Sequence, residues 1–264
     1  MKKVLVTGAY GGIGRAVVST LKKEGYFVYA LDKKVGEKED GVCPVQADII
    51  DLESVRKAYE QVKNSTDELY AILHFAGIYN LDSLIEMSEQ DFLRVYDVNL
   101  FGAYRINKTF MPLLSKGGKI LITTSELAPL DPLPFTGIYA LSKSALDDYA
   151  YSLRMELQLL GVSVVVLRPG AVDTGMISVS TSKLDEFIAK TSMYSFSAKR
   201  FKKIVDRVEA RKIPPQKIAE KTIKIISKSR PKQVYKINRN PLLLILNLFP
   251  RSVQTFIIKK ILKN

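Results

Sequence analysis

Seven short runs rich in Val, Ile and Leu recur along the first 240 residues, and their spacing limits the fold more than any other feature of the chain. They lie at 3–7, 27–31, 43–47, 69–75, 119–123, 163–167 and 233–237. None alternates with polar residues, which is the pattern of strands covered on both faces. Helical patterns fall between them, near 12–24, 51–63, 88–115, 136–160 and 215–228. Repeated strand–helix–strand order predicts an α/β fold, a doubly wound parallel sheet of about seven strands with helices on both faces, spanning residues 1–240.

Two segments break this rhythm. Residues 175–212 are rich in Ser, Lys and Met and contain amphipathic pieces such as 184–189. A long segment after the sixth strand lies beyond the carboxyl edge of such a sheet, where ligands bind, so it reads as a substrate lid carrying Met176, Met193 and Phe196. Residues 241–249 are nearly all apolar. After Pro250, Val253, Phe256, Ile257, Ile261 and Leu262 fall largely on one helical face, flanked by Arg251, Lys259, Lys260 and Lys263. The 241–264 tail is too short to span a bilayer but suits peripheral contact with one. A subunit interface and a flap over the protein's own cleft are the competing readings.

Charge follows the same division. Residues 1–180 hold 19 Lys/Arg against 22 Asp/Glu, a balance of −3, while 181–264 hold 21 against 5, a balance of +16. Such asymmetry suits an anionic partner or a solvated basic surface. Nucleic acid is not the expected partner, because no recognition motif is present and aromatic residues are sparse among the lysines. The single cysteine, Cys43, permits no internal disulfide and sits in an apolar run, as a small buried hydrophobe does. Lys2 and Lys3 imitate the start of a signal peptide, but the apolar run stops at Thr7 and Gly8. No stretch of 18 apolar residues exists, so a cytoplasmic protein without a spanning helix is expected.

Three motifs carry chemistry. Thr7, Gly8, Gly11, Gly12, Ile13 and Gly14 follow the first strand and open a helix. A pyrophosphate needs close backbone and free N–H donors at a helix N-terminus, and glycine permits both. Asp32 ends the second strand, 18 residues after Gly14. A carboxylate there accepts hydrogen bonds from the adenine-ribose hydroxyls and repels a 2′-phosphate, which favours NAD over NADP. Lys33 and Lys34 pull the other way. Tyr139 and Lys143 stand four apart on one helical face, where an ammonium would lower the phenol pKa and fit it for proton transfer near neutral pH. Ser125 lies fourteen residues upstream, at the end of the fifth run.

In these motifs the chain resembles the short-chain dehydrogenase/reductase family, in its compact branch, over residues 1–240. The glycine pattern matches Thr7, Gly8, Gly12 and Gly14; the Tyr-x-x-x-Lys pair matches Tyr139 and Lys143; the catalytic serine and asparagine match Ser125 and Asn99. The Pro-Gly segment after the sixth strand matches Pro169, Gly170, Val172 and Thr174. The resemblance implies a Rossmann-like fold, with Tyr139 as general acid/base and Lys143 depressing its pKa and holding the nicotinamide ribose. It implies that Ser125 bonds the substrate oxygen and Asn99 positions a water. It further implies cofactor contacts at Gly8, Gly12, Ile13, Gly14, Asp48, Ile49, Ala76, Gly77, Pro169 and Gly170, with Val172 and Thr174 on the carboxamide, and a homodimer or homotetramer.

Two departures stand out. The family pattern Asn-Asn-Ala-Gly is replaced by His74, Phe75, Ala76 and Gly77. Phe75 cannot supply the lost asparagine's hydrogen bonds, so an apolar contact is expected instead. His74 is the only histidine, which excludes a His-based triad and a multi-histidine metal site; a structural role is favoured over a proton relay. Pro129, Pro132 and Pro134 are expected to shape one pocket wall, and Thr124 is a second candidate for the Ser125 role. The expected function is NAD-dependent interconversion of a secondary alcohol and a ketone on a bulky apolar substrate such as a steroid, bile acid or lipid. An acyl-carrier or acyl-CoA ketoreductase and a non-catalytic dinucleotide sensor are the rivals.

Overall fold

All seven apolar runs form strands. The chain runs β1 (Lys3–Thr7), α1 (Gly12–Lys23), β2 (Phe27–Asp32), β3 (Val42–Gln46), α2 (Leu52–Lys63), β4 (Leu69–His74), α3 (Glu89–Tyr96), α4 (Gly102–Phe110), β5 (Leu114–Thr123) and α5 (Gly137–Leu157). It continues through β6 (Ser163–Pro169), α6 (Gly175–Lys190), α7 (Ser195–Glu209), α8 (Pro215–Ile226), β7 (Val234–Ile237), α9 (Pro241–Leu246) and α10 (Arg251–Leu262). This computed structural model describes residues 1–209 and 211–263, without the side chains of 176–181, 208 and 209.

The strands form one parallel sheet in the order β3-β2-β1-β4-β5-β6-β7. The order reverses between β1 and β4, which opens a crevice at their carboxyl ends. Successive residues of a strand point to opposite faces. Val4 and Val6 therefore pack under α1 and α8 with Val17, Leu21, Ile218 and Ile225, while Leu5 packs on the other face with Val55, Ile106, Phe110 and Leu146. Both faces are covered, which is why the strands read as unbroken apolar runs.

The helix expected over 88–115 is broken. α3 and α4 are separated by a π turn, Asp97–Phe101, and a short 3₁₀ turn, Met111–Leu113, follows α4. β5 begins at Leu114, five residues before the expected run, with a register shift in its pairing to β4.

The predicted lid is helical. α6 and α7 leave the sheet after Thr174 and return at Ile213, whose backbone bridges Val172 and exchanges hydrogen bonds with Ala171 and Asp173. Both ends of the lid thus meet at one point. Its inner face forms a third core with no strand: Leu184, Phe187, Ala198, Phe201 and Val205 close on Leu81, Phe135 and Leu262. Phe135 centres it, with ring centroids 5.0 Å from Phe187 and 5.5 Å from both Tyr194 and Phe201. Its backbone is left-handed, at φ 64°, a conformation that persists only where surrounding packing holds it. The Met176 side chain falls outside the described residues; Met193 and Phe196 are exposed.

The tail departs from its expected single apolar face. Ile257, Ile258 and Leu262 turn toward α7, whereas Val253, Phe256 and Ile261 remain exposed. Arg251 and Gln254 bind Asp131, whose own N–H donates to Asn247. α9 and α10 are thereby strapped over the loop between β5 and α5. Among the described residues no helix is long and apolar enough to cross a membrane.

Candidate active site

A cleft of about 210 Å³ lies over the carboxyl ends of β1, β4, β5 and β6. Its floor comes from the sheet loops: Ile13, Phe75, Gly77, Thr123, Ser125, Glu126, Pro169, Gly170, Val172 and Thr174, with Tyr139 and Lys143 from α5. Its roof comes from Leu133, from Phe201, Ile204 and Val205 on α7, and from Leu243 on α9. The apolar contact expected of Phe75 is present: its ring packs with the core under α1 and faces the cleft.

The four candidate catalytic residues converge. The Ser125 hydroxyl stands near the Tyr139 phenol and favours its ionised form. Lys143 Nζ lies 5.9 Å from the Tyr139 ring centroid and donates to the Thr123 carbonyl at 3.2 Å. Asn99 sits in the π turn, a distortion that recurs at functional sites. Its amide clamps the Ile78 peptide, accepting from Ile78 N at 2.8 Å and donating to Ile78 O at 3.0 Å and Ser142 Oγ at 2.9 Å. A Cβ on Gly77 would stand 3.2 Å from Asn99 Oδ1 and 3.3 Å from Lys143 Nζ, so glycine keeps the shelf between them open.

One expectation is corrected. Burial pushes the Tyr139 phenol up to about 12; the Ser125 hydroxyl lowers it and the Glu126 carboxylate adds to the rise. Burial also brings the Lys143 ammonium down to about 8. Helical spacing puts the pair on one face but does not aim Nζ at the phenol oxygen, because the Thr123 carbonyl takes it. Desolvation dominates, and the phenol is held protonated.

The residues expected to hold a cofactor form a cradle. Gly8 has φ 66°, and a Cβ there would stand 2.5 Å from Ala76 N; only glycine lets β1 and β4 come this close. A Cβ on Gly12 would meet the Thr174 side chain at 2.5 Å, so the glycine turn and the Pro169–Thr174 loop abut. Gly14 is buried within α1. Asp32 accepts N–H bonds from Tyr10 at 2.9 Å and Lys33 at 2.8 Å, which fixes its carboxylate beside the glycine turn. Lys33 Nζ binds Asp48 Oδ2 at 2.6 Å. Burial raises the Asp48 carboxyl, but this contact and the Ile50 N–H outweigh it and hold the group below its ordinary range. Ile49 is buried against Gly102 rather than in the cleft. Backbone this close, beside a helix N-terminus and a carboxylate, fits a dinucleotide.

Other candidates resolve differently. Thr124 donates to Asp147, which also holds Arg168 in a two-point pair, so its hydroxyl is committed away from the cleft. His74 is buried, and its Nε2 meets Asn107 Oδ1 at 2.8 Å. An amide oxygen there requires a donor, so the neutral Nε2–H ring fits, and burial brings its pKa down to about 4. The histidine is structural. Of the three prolines only Pro134 lines a cavity, the second one below.

Two cleft residues escape sequence reasoning. Tyr79 packs edge-on against Tyr139, centroids 4.4 Å apart. Glu126 is buried at the cleft wall; its Oε2 accepts Asn240 N–H at 2.6 Å, and burial raises its pKa against the pull of that bond and Arg239. Its position directly after Ser125 is the only signal for it. Among the described residues no cluster of His, Cys, Asp and Glu is arranged to hold a metal.

A family model described as short chain dehydrogenase matches residues 2–185. A 3-ketodihydrosphingosine reductase from Bacteroides thetaiotaomicron is 26% identical over 230 residues, covering 86% of this chain and 84% of that one. An estradiol 17-beta-dehydrogenase 2 from Mus musculus is 33% identical over 189 residues, 66% of this chain and 49% of the relative, so the chain spans about half of that protein. A solved short chain dehydrogenase family protein from Francisella tularensis superposes with a TM-score of 0.74 at 23% identity, covering 90% of this chain and 97% of that one.

Proposed function

The chain belongs to the short-chain dehydrogenase family, an oxidoreductase family that acts on alcohol and ketone groups with a nicotinamide dinucleotide, and from that premise we propose that it interconverts a secondary alcohol and a ketone on a bulky apolar substrate, with NAD preferred to NADP. The observation that carries the reading is the meeting of Tyr139, Ser125 and Lys143 on the floor of a cleft whose roof is apolar. Tyr139 Oη, protonated at rest, gives its proton to the substrate oxygen as the ketone becomes an alcohol, and recovers it in reverse. Ser125 Oγ holds that oxygen against Tyr139. Lys143, whose Nζ the Thr123 carbonyl holds, would bind the nicotinamide ribose. A nicotinamide dinucleotide, when bound, would supply or accept the hydride. Gly8, Gly12, Gly14 and Asp32 would hold its adenine half and pyrophosphate, and Gly170, Val172 and Thr174 its carboxamide end. The Asp32 carboxylate, and the engagement of Lys33 by Asp48, support the preference for NAD.

Two features support partners beyond the substrate. Exposed Leu242, Leu248, Phe249 and Phe256 stand beside Arg251, Lys259 and Lys260, which suits an anionic bilayer surface at the cytoplasmic side. Flotation with anionic but not neutral vesicles checks this. Exposed Leu93, Phe101, Leu141 and Tyr151 lie along α3, the π turn and α5, which pack together and suit a homo-oligomer. The enzymatic reading is tested by following reduced nicotinamide with apolar alcohols and ketones under NAD and NADP in turn. Turnover is expected with NAD and should fall about 10²–10⁴-fold in Tyr139→Phe. Undiminished turnover in that variant refutes the mechanism.

A further inference from the structure

Beside the cleft lies a second cavity of about 370 Å³, bounded by α9, α10 and α7 and open to solvent where Leu242, Ile245, Phe249 and Ile261 are exposed. Every residue lining it is apolar, among them Pro134, Leu246, Ile257 and Leu262. Four side chains line both spaces: Leu133, Phe201, Ile204 and Leu243. The two spaces are therefore neighbours across one apolar partition. The cleft alone is small for a small-molecule site, which usually spans about 300–1,000 Å³, and its Ile13, Gly170 and Thr174 side belongs to the cofactor on the reading above. A bulky substrate must then extend elsewhere. The second cavity has ample room, since an engineered apolar cavity of roughly 150 Å³ takes up benzene.

We infer that this cavity is the subsite for an unbranched alkyl chain, so the substrate is a long-chain aliphatic ketone or alcohol whose reacting carbon lies at Tyr139 and whose chain crosses the partition to end between α9 and α10. A flexible chain passes four aliphatic and aromatic side chains by their rotamer changes, whereas a rigid fused-ring system needs a wide opening. No polar group on the cavity wall offers a headgroup a partner. The inference rests on the assignment of Tyr139 as the proton-transfer group.

Two measurements test it. The first is kcat/KM of the intact enzyme for straight-chain methyl ketones of increasing length. The value is expected to rise about fourfold per added methylene once the cleft is filled and to level off when the cavity is full. Leu246→Trp, which places an indole in the path of the chain, should lower the long-chain to short-chain ratio at least tenfold. The second measures binding without turnover. The chain has no tryptophan, so Phe249→Trp at the cavity mouth supplies a single indole that can be excited selectively over the tyrosines. A long-chain ketone brominated at its far end should quench it, and a short brominated ketone should not. A flat length series, a length effect untouched by Leu246→Trp, or equal quenching by both ketones overturns the subsite. Should Leu246→Trp fail to fold, the wild-type series and the quenching decide. Quenching with no turnover of any ketone upholds the subsite and refutes the oxidoreductase reading instead.

Discussion

The floor and the roof of the cleft are built by different physics. The floor is sheet-borne and polar, and its groups are held by short hydrogen bonds: Asn99 grips the Ile78 peptide, Asp32 grips the glycine turn, and Lys143 reaches the Thr123 carbonyl. The roof is helical and apolar. Phe187 and Phe201 close on Phe135, and the tail is strapped down by a surface cluster at Asp131 and by Arg200, which donates to the Ile261 and Lys263 carbonyls. The charge division follows the same line, since the acidic excess lies before residue 181 and the basic excess after it. Chemistry needs groups fixed to fractions of an ångström, and hydrogen-bonded backbone supplies that. Shape selection needs volume, and packed side chains supply it.

If the two regions divide labour in this way, substitutions should separate activity from stability. Lys143→Met should give the largest change, a loss of about 10²–10⁴ in turnover, without lowering Tm at neutral pH, because it removes a buried charge that folding disfavours. A large fall in Tm with that variant would break the comparison. Phe187→Ala, in the roof but outside the cleft lining, should destabilise by about 3–5 kcal/mol while leaving kcat on a small ketone within a fewfold at temperatures where the protein is folded. Calorimetry and steady-state rates check both. The third concerns His74 beneath the floor. In the unfolded chain it takes up a proton near 6.5, but in the fold only near 4. The unfolded state then binds more protons between those values, so stability falls as pH drops through that window and is unaffected above it, by about 3 kcal/mol in all. His74→Gln, which keeps a donor toward Asn107, should flatten the acid limb of Tm against pH.

The sheet was legible because burial on both faces forces unbroken apolar runs, which few other arrangements produce. The glycine turn, Asp32, Ser125 and the Tyr139–Lys143 pair were legible because each sits at a fixed offset from a strand or on one helical turn. What escaped depends on contacts distant in sequence or on small backbone irregularities. The π turn at Asn99 adds one residue to a helical turn and barely disturbs the apolar pattern. The role of Glu126 depends on an N–H 114 residues away. The direction of the Tyr139 shift depends on how deeply the phenol is buried and where Nζ points, and neither is a property of spacing. The roof was legible only in part: Ala198, Phe201 and Val205 repeat at helical intervals, but their partners Leu81, Phe135 and Leu262 come from three separate stretches.

The meeting of both lid ends at Val172 and Ile213 has a thermodynamic consequence. Among the described residues this bridge is the one ladder-type pairing joining the lid to the sheet; the helices between are otherwise held by side chains, through the Phe135 core, the Lys190–Asp82 pair and the Glu86 carboxylate, which accepts from Thr191, Ser192 and Met193. Losing those contacts would leave every strand paired, so opening of the lid would be a subglobal event that costs less than global unfolding.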